Sequence, residues 1–134
     1  MEDLSKRLKV LSGALSHFEE VLEIFRTLST SDIIHMYIRD SVIIRFEFSV
    51  DIFWKCLKDY LEKEHKIIVV SPRSVFKECL NQKFIDAKEL KILENMLCDR
   101  NDTPYTYDEG VAEEIAKHAY DYFDLMSDIK SKIK

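Results

Sequence analysis

The residues most able to do chemistry lie in one short segment, Cys98-Asp99-Arg100-Asn101-Asp102-Thr103-Pro104-Tyr105-Thr106-Tyr107-Asp108. Arg100 follows Leu93 and Leu97 at spacings of 4 and 3, so it continues an apolar helical stripe. A guanidinium aimed along such a face is costly unless something pairs with it. Asn101 can end a helix in the left-handed conformation, and Pro104 stiffens the loop after it. Tyr105 and Tyr107 then project from that loop and the first turn of the next helix. The start of that helix presents free N–H groups and a positive dipole end, which suits a phosphate. The competing reading is a capped interhelical turn in which Arg100 bridges to a carboxylate.

A second polar set, Arg45 and Glu47, is embedded in Val42-Ile43-Ile44-Arg45-Phe46-Glu47-Phe48. Asp40, Glu47 and Asp51 share one helical face through spacings of 7 and 4. Glu47 and Asp51 are either exposed or paired with Lys55 and Arg100, or this helix supplies the acid that orients Arg100. In the last case Asp99-Arg100-Asn101 and Arg45-Phe46-Glu47 face each other across a groove.

Other chemistries lack their residues. There is no H-E-x-x-H, and His17, His35, His65 and His118 are scattered. There is no G-x-S-x-G, and with 2 Gly in 134 residues no Gly-rich phosphate loop exists. Glu19-Glu20 reads as a solvated pair, and Lys55 and Lys58 beside Trp54 read as a surface row. Cys56, Cys79 and Cys98 are odd in number and form no C-x-x-C. They are expected to be reduced thiols, mostly in the core, with no metal or disulfide role. A net charge of −5 excludes a whole-surface grip on nucleic acid but leaves room for a local basic site. No cofactor is expected.

The elements that must hold these residues are helices. Two Gly and 2 Pro allow few tight turns, which excludes sandwiches, barrels and propellers, while 46% apolar residues can build a core. Leu4, Leu8, Leu11, Leu15, Phe18, Leu22 and Phe25 form one stripe of about six turns. Ser29-Thr30-Ser31-Asp32 supplies a break and N-cap candidates for a second helix over 32–64, with its stripe at Ile43, Phe46, Val50, Phe53, Leu57 and Tyr60. Ile34, Ile38, Ile44, Phe48 and Ile52 lie outside that stripe, which implies a central helix or a subunit interface. Ile67-Ile68-Val69-Val70 reads as an extended linker. Ser71-Pro72 opens a short helix to about 82. Asp86 and Glu89 cap the next helix, with Ile85 and Leu90 at staple positions. Residues 101–107 read as a loop, and Thr106 with Glu109 as the capping box of the last helix. That helix carries Val111, Ile115, Ala119, Tyr122, Met126, Ile129 and Ile133 on one stripe. The expected fold is all-α: one domain over 1–134, an antiparallel four-helix up-and-down bundle with one extra short helix, expected to be dimeric. No apolar run reaches membrane-spanning length, and Met1-Glu2-Asp3 shows no secretion signal, so a cytoplasmic location is expected.

Arg45-Phe46-Glu47-Phe48, Trp54-Lys55, Lys58-Asp59-Tyr60-Leu61, Pro72-Arg73 and above all Asp99-Arg100-Asn101 through Thr106-Tyr107-Asp108-Glu109 resemble the HEPN fold. More narrowly they resemble the nucleotidyltransferase substrate-binding proteins, over nearly the whole chain. The resemblance implies a dimeric helical bundle encoded beside a minimal nucleotidyltransferase, with which it forms a toxin–antitoxin pair. It also implies a kinship with metal-independent endoribonucleases whose motif is Arg, four to six residues, then His. In better-studied pairs AMP is transferred from ATP to a Tyr two residues after that His. By position the motif Arg is Arg100, the following amide Asn101 and the acceptor Tyr107. The His position holds Tyr105. A phenol with a pKa of about 10 is almost never a base at neutral pH, and general acid–base catalysis is typically worth about 10²–10⁴-fold. His118, about three turns into the last helix, is a poor substitute unless another subunit supplies it. The resemblance therefore implies a partner of a nucleotidyltransferase that binds a nucleotide or RNA phosphate at Arg100 and accepts AMP on Tyr107. Arg100, Asn101 and Tyr105 are its candidate catalytic residues, and Arg45, Glu47, Asp51 and Asp99 support them. The alternative is an active endoribonuclease using Arg100 with Tyr105. A ligand-free helical adaptor is a third reading, which the resemblance disfavours.

Overall fold

A computed structural model describes residues 3–133; Met1 and Glu2, on which part of the expected absence of a secretion signal rests, and Lys134 lie outside the described residues. Five α-helices follow in order: α1 Leu4–Arg26, α2 His35–His65, α3 Pro72–Asn81, α4 Ala87–Asp102 and α5 Glu109–Ser131, with a 3₁₀ turn at Thr103–Tyr105 between the last two. The fold is the expected all-α antiparallel bundle with one short extra helix, α3. Among the described residues there is no strand.

The predicted stripes make the core. Leu11, Phe18 and Leu22 of α1, Phe46, Phe53 and Leu57 of α2, and Ile115, Met126 and Ile129 of α5 are all buried. α2 is central: it packs against every other α-helix. Its second apolar set is not core. Ile34, Ile44 and Phe48 are exposed and Ile38 and Ile52 only part-buried. Residues 67–70 form neither helix nor strand, with Ile68 and Val70 facing solvent, as a linker would. Cys56 and Cys79 are buried and Cys98 is exposed. Burial pushes the Cys56 thiol up to about 11 and the Cys79 thiol to about 12, so both are inert at neutral pH.

Four local expectations need correction. Asp32 does not cap α2. Its carboxylate accepts from the Ser29 N–H at 2.6 Å, closing a turn on itself, and the helix starts three residues later behind Ile34, which makes no side-chain cap. Asn101 is not left-handed, because α4 continues through it to Asp102. The left-handed helix ends fall instead at Lys66 and Lys83. Residues 101–107 are not free loop but helix end plus 3₁₀ turn. Thr106 does not cap α5, because its hydroxyl donates backwards to the Thr103 carbonyl at 3.0 Å. Asp108 takes the cap, accepting from Gly110 and Val111 N–H at 2.8 and 3.2 Å. The caps of α3 and α4 stand as expected. Ser71 accepts from Ser74 N–H, and Asp86 and Glu89 form a reciprocal box at 2.8 and 2.9 Å.

No helix among the described residues is long and apolar enough to cross a membrane.

Candidate functional site

Arg100 leaves the last turn of α4 and crosses to α2. Its Nε and Nη2 donate to the two oxygens of Asp51 at 3.1 and 3.0 Å, a bidentate fork. Its Nη1 donates to Glu47 at 3.0 Å and to the Thr103 hydroxyl at 3.1 Å. The Thr103 hydroxyl also lies 3.1 Å from Glu47. The hydrogen bond to Asp51, which burial partly opposes, holds the guanidinium above its ordinary pKa. So α2 supplies acids to Arg100, one of the arrangements that the spacing of Glu47 and Asp51 allows. One N–H of the fork is left over, because the guanidinium has five and four are used.

The wider convergence expected around Arg100 does not form. Arg45 is exposed on the outer side of α2, about 200° from Glu47 around the helix. Asn101 is also exposed, with no side-chain hydrogen bond among the described residues. Asp99, one residue and about 100° before Arg100, points the other way, to α5. Its Oδ2 accepts from the Tyr122 hydroxyl at 2.6 Å and lies 2.9 Å from Nδ1 of His118. Burial first, then the Asp99 bond, pushes the Tyr122 phenol well up. The helix-start phosphate position is also filled. Asp108 already accepts from two of the free N–H groups of α5, those of Gly110 and Val111, and Glu109 follows it.

Sequence reasoning missed Arg39. It is 3% exposed and reaches from α2 to the start of α5. Its Nη1 donates to Glu109 and, at 3.2 Å, to Glu113, and its Nη2 donates to Asp40 at 3.1 Å. Burial opposes the charge, but the bonds to Glu109, Asp40 and Glu113 outweigh it and hold Arg39 above its ordinary pKa. His35 lies one turn before it, with Nε2 2.9 Å from Glu113 and its ring 4.8 Å from that of Phe25. The available signal was spacing: Arg39 precedes Ile43, Phe46 and Val50 by the same 4-3-4 pattern that put Arg100 on its stripe.

The two arginines hold the segment between α4 and α5 at both ends. Thr103 is buried and tied to Arg100 and Glu47, while Glu109 is tied to Arg39. Between them, backbone bonds from Thr106 to Thr103 and from Asp108 to Tyr105, at 3.3 and 3.1 Å, wind two successive turns. Tyr105 and Tyr107 stand out from this pinned segment, 55% and 82% exposed. Among the described residues no group of three or more His, Cys, Asp or Glu is placed to hold a metal ion.

Residues 6–134 match the family described as "Nucleotidyltransferase substrate binding protein like". No curated protein sequence matches the chain significantly. Among solved structures, a Thermus thermophilus protein is 27% identical, with 92% of this chain and 98% of that one covered, at a TM-score of 0.82. A toxin–antitoxin structure with AMP-PNP is 13% identical over 100% of both chains, at a TM-score of 0.68. The tri-AMPylated HEPN toxin of Shewanella oneidensis, in complex with MNT antitoxin, is 15% identical over 95% of this chain and 98% of that chain, at 0.62. The last two likenesses establish the fold.

Proposed function

The chain belongs to the nucleotidyltransferase substrate-binding-like family, and from that premise we propose that it is the HEPN partner of a minimal nucleotidyltransferase in a toxin–antitoxin-type pair, and that it accepts AMP on Tyr107. The observation that carries the acceptor role is the exposure of Tyr107, the highest of any tyrosine here, on a segment fixed at both ends. A phenol held outward on a pinned turn enters another protein's cleft with little ordering cost. In the transfer, the Tyr107 oxygen attacks the α-phosphorus of ATP. The new O–P bond forms as the bond to the departing pyrophosphate breaks, and the phenolic proton passes to a base of the nucleotidyltransferase or to water. ATP and its metal belong to the partner, and this chain supplies the nucleophile.

Phosphate binding at Arg100 has less support. The carboxylates of Glu47 and Asp51 already exceed its charge, so an RNA phosphate must displace one of them or use the single free N–H. In the ribonuclease reading, Arg100, Asn101 and Tyr105 would act together, with Arg45, Glu47, Asp51 and Asp99 in support. Asn101 and Arg45 stand apart from Arg100, and no imidazole accompanies it.

The test is incubation with ATP, Mg²⁺ and the nucleotidyltransferase encoded beside this chain, followed by fragment mass spectrometry. An AMP adduct on Tyr107, absent at that position in Tyr107→Phe, is expected. An unmodified Tyr107 in the wild type refutes the reading.

The same proposal includes a homodimer formed on the outer face of α2. Tyr37, Ile44 and Phe48, at spacings of 7 and 4, make an exposed apolar stripe beside the Glu47–Asp51–Arg100 cluster. Light scattering should give twice the chain mass, and Phe48→Lys should give the monomer mass with unchanged helicity. A wild-type monomer at micromolar concentration rules this face out.

A further inference from the structure

We propose that Tyr105 is a second AMP acceptor, a reading that rests on the assignment of Tyr107 above. The chain has six tyrosines, and the structure separates them. The Tyr122 hydroxyl donates to Asp99 and the Tyr120 hydroxyl to the Leu22 carbonyl, so both oxygens are engaged. Tyr60 is half-buried, its ring 4.6 Å from Phe84. Burial pushes the phenols of Tyr60, Tyr120 and Tyr122 upward, which makes each a poorer nucleophile. Tyr37 is exposed but lies in the first turn of α2, outside the segment that carries Tyr107.

Tyr105 alone shares the setting of Tyr107. It is 55% exposed, its hydroxyl has no partner among the described residues, and it closes the 3₁₀ turn at Thr103–Tyr105. Only Thr106 separates the two positions, so their Cα atoms lie within about 7 Å of each other. A nucleotidyltransferase cleft that receives one needs only a small shift to receive the other. The carbonyl of Tyr105 accepts from Asp108 N–H, which fixes the backbone under both rings. The chemistry is the same: the Tyr105 oxygen forms a bond to the α-phosphorus of a second ATP, pyrophosphate leaves, and the phenolic proton goes to the partner's base or to water.

The experiment compares wild type, Tyr105→Phe, Tyr107→Phe and the double variant after reaction with ATP, Mg²⁺ and the nucleotidyltransferase, with each adduct placed by fragmentation. Expected are adducts at both positions in the wild type. Each single variant should keep one of them, and the double variant should lose both. Both substitutions remove only an exposed hydroxyl, and circular dichroism checks that the helices remain. A wild type modified at Tyr107, together with a Tyr107→Phe protein that takes no AMP, overturns the second acceptor and leaves the first intact. No adduct at either position overturns both.

Discussion

Phe46→Ala should lower the folding stability by about 3–5 kcal/mol, the range for removing a fully buried aromatic ring. The ring has no exposed surface and joins three helices. It stacks on Tyr122 of α5 at a centroid distance of 5.6 Å and lies 6.4 Å from Phe18 of α1. Phe18 meets Phe123 of α5 edge-on at 5.8 Å, so the three helices share one aromatic layer. Neighbours this large and this constrained cannot close the hole, because each is held by packing on its other side. The melting temperature should fall by roughly 10–20 °C in a chain of this size. Urea titration followed by circular dichroism measures the change. A loss below about 1 kcal/mol would mean that the layer repacks freely, against the geometry described.

Arg39→Met should have the next largest effect, and a more local one. The substitution keeps much of the buried stem and removes the charge. The carboxylates of Asp40, Glu109 and Glu113 are each substantially exposed, so water takes them back and none is stranded. The cost is therefore about 2 kcal/mol, set by the lost charged hydrogen bonds and below that of breaking a fully buried ion pair. It should fall mostly on the start of α5. Amide hydrogen exchange over 110–113 should speed up while the rest of the bundle stays protected. Transfer of AMP to Tyr107 should slow as its rear support loosens. Unchanged exchange at those amides would show that Asp108 alone holds the helix start.

Arg100 and Arg39 show what a sequence does and does not disclose. Each extends an apolar stripe by one helical step, and each is paired across to another helix. Arg100 stands out because its neighbours, Asn101, Pro104 and two tyrosines, are unusual company. Arg39 lies among Ile38 and Asp40 in a long polar-apolar mixture, and its partners on α5, Glu109 and Glu113, are 70 and 74 residues away. Stripes and helix order could be read because they depend on spacing within about four residues. Pairing across helices depends on which faces meet, which spacing within one helix does not fix. The cap of α5 illustrates a local failure. Thr106 and Asp108 both stand where a cap could, and the 3₁₀ turn at Thr103–Tyr105 distinguishes them. That turn bends the chain so that the Thr106 hydroxyl faces back to Thr103. Asp99 failed similarly: reading Asp99-Arg100-Asn101 as one unit ignores that adjacent helical residues diverge by about 100°.

The two arginine anchorages also meet on a single piece of secondary structure. Arg39, Glu47 and Asp51 all belong to α2, so the two ends of the tyrosine segment are measured off one rigid rod, 12 residues or about 18 Å apart at its extremes. Length changes therefore act unevenly along this chain. Gaining or losing one residue between 40 and 46 would swing one anchorage by about 100° relative to the other and unhook one end of the segment. The linker at 67–70 carries no such measurement. In a lineage of such proteins, insertions and deletions should collect there and in the turn before α2, and the middle of α2 should keep its residue count even where its residues change.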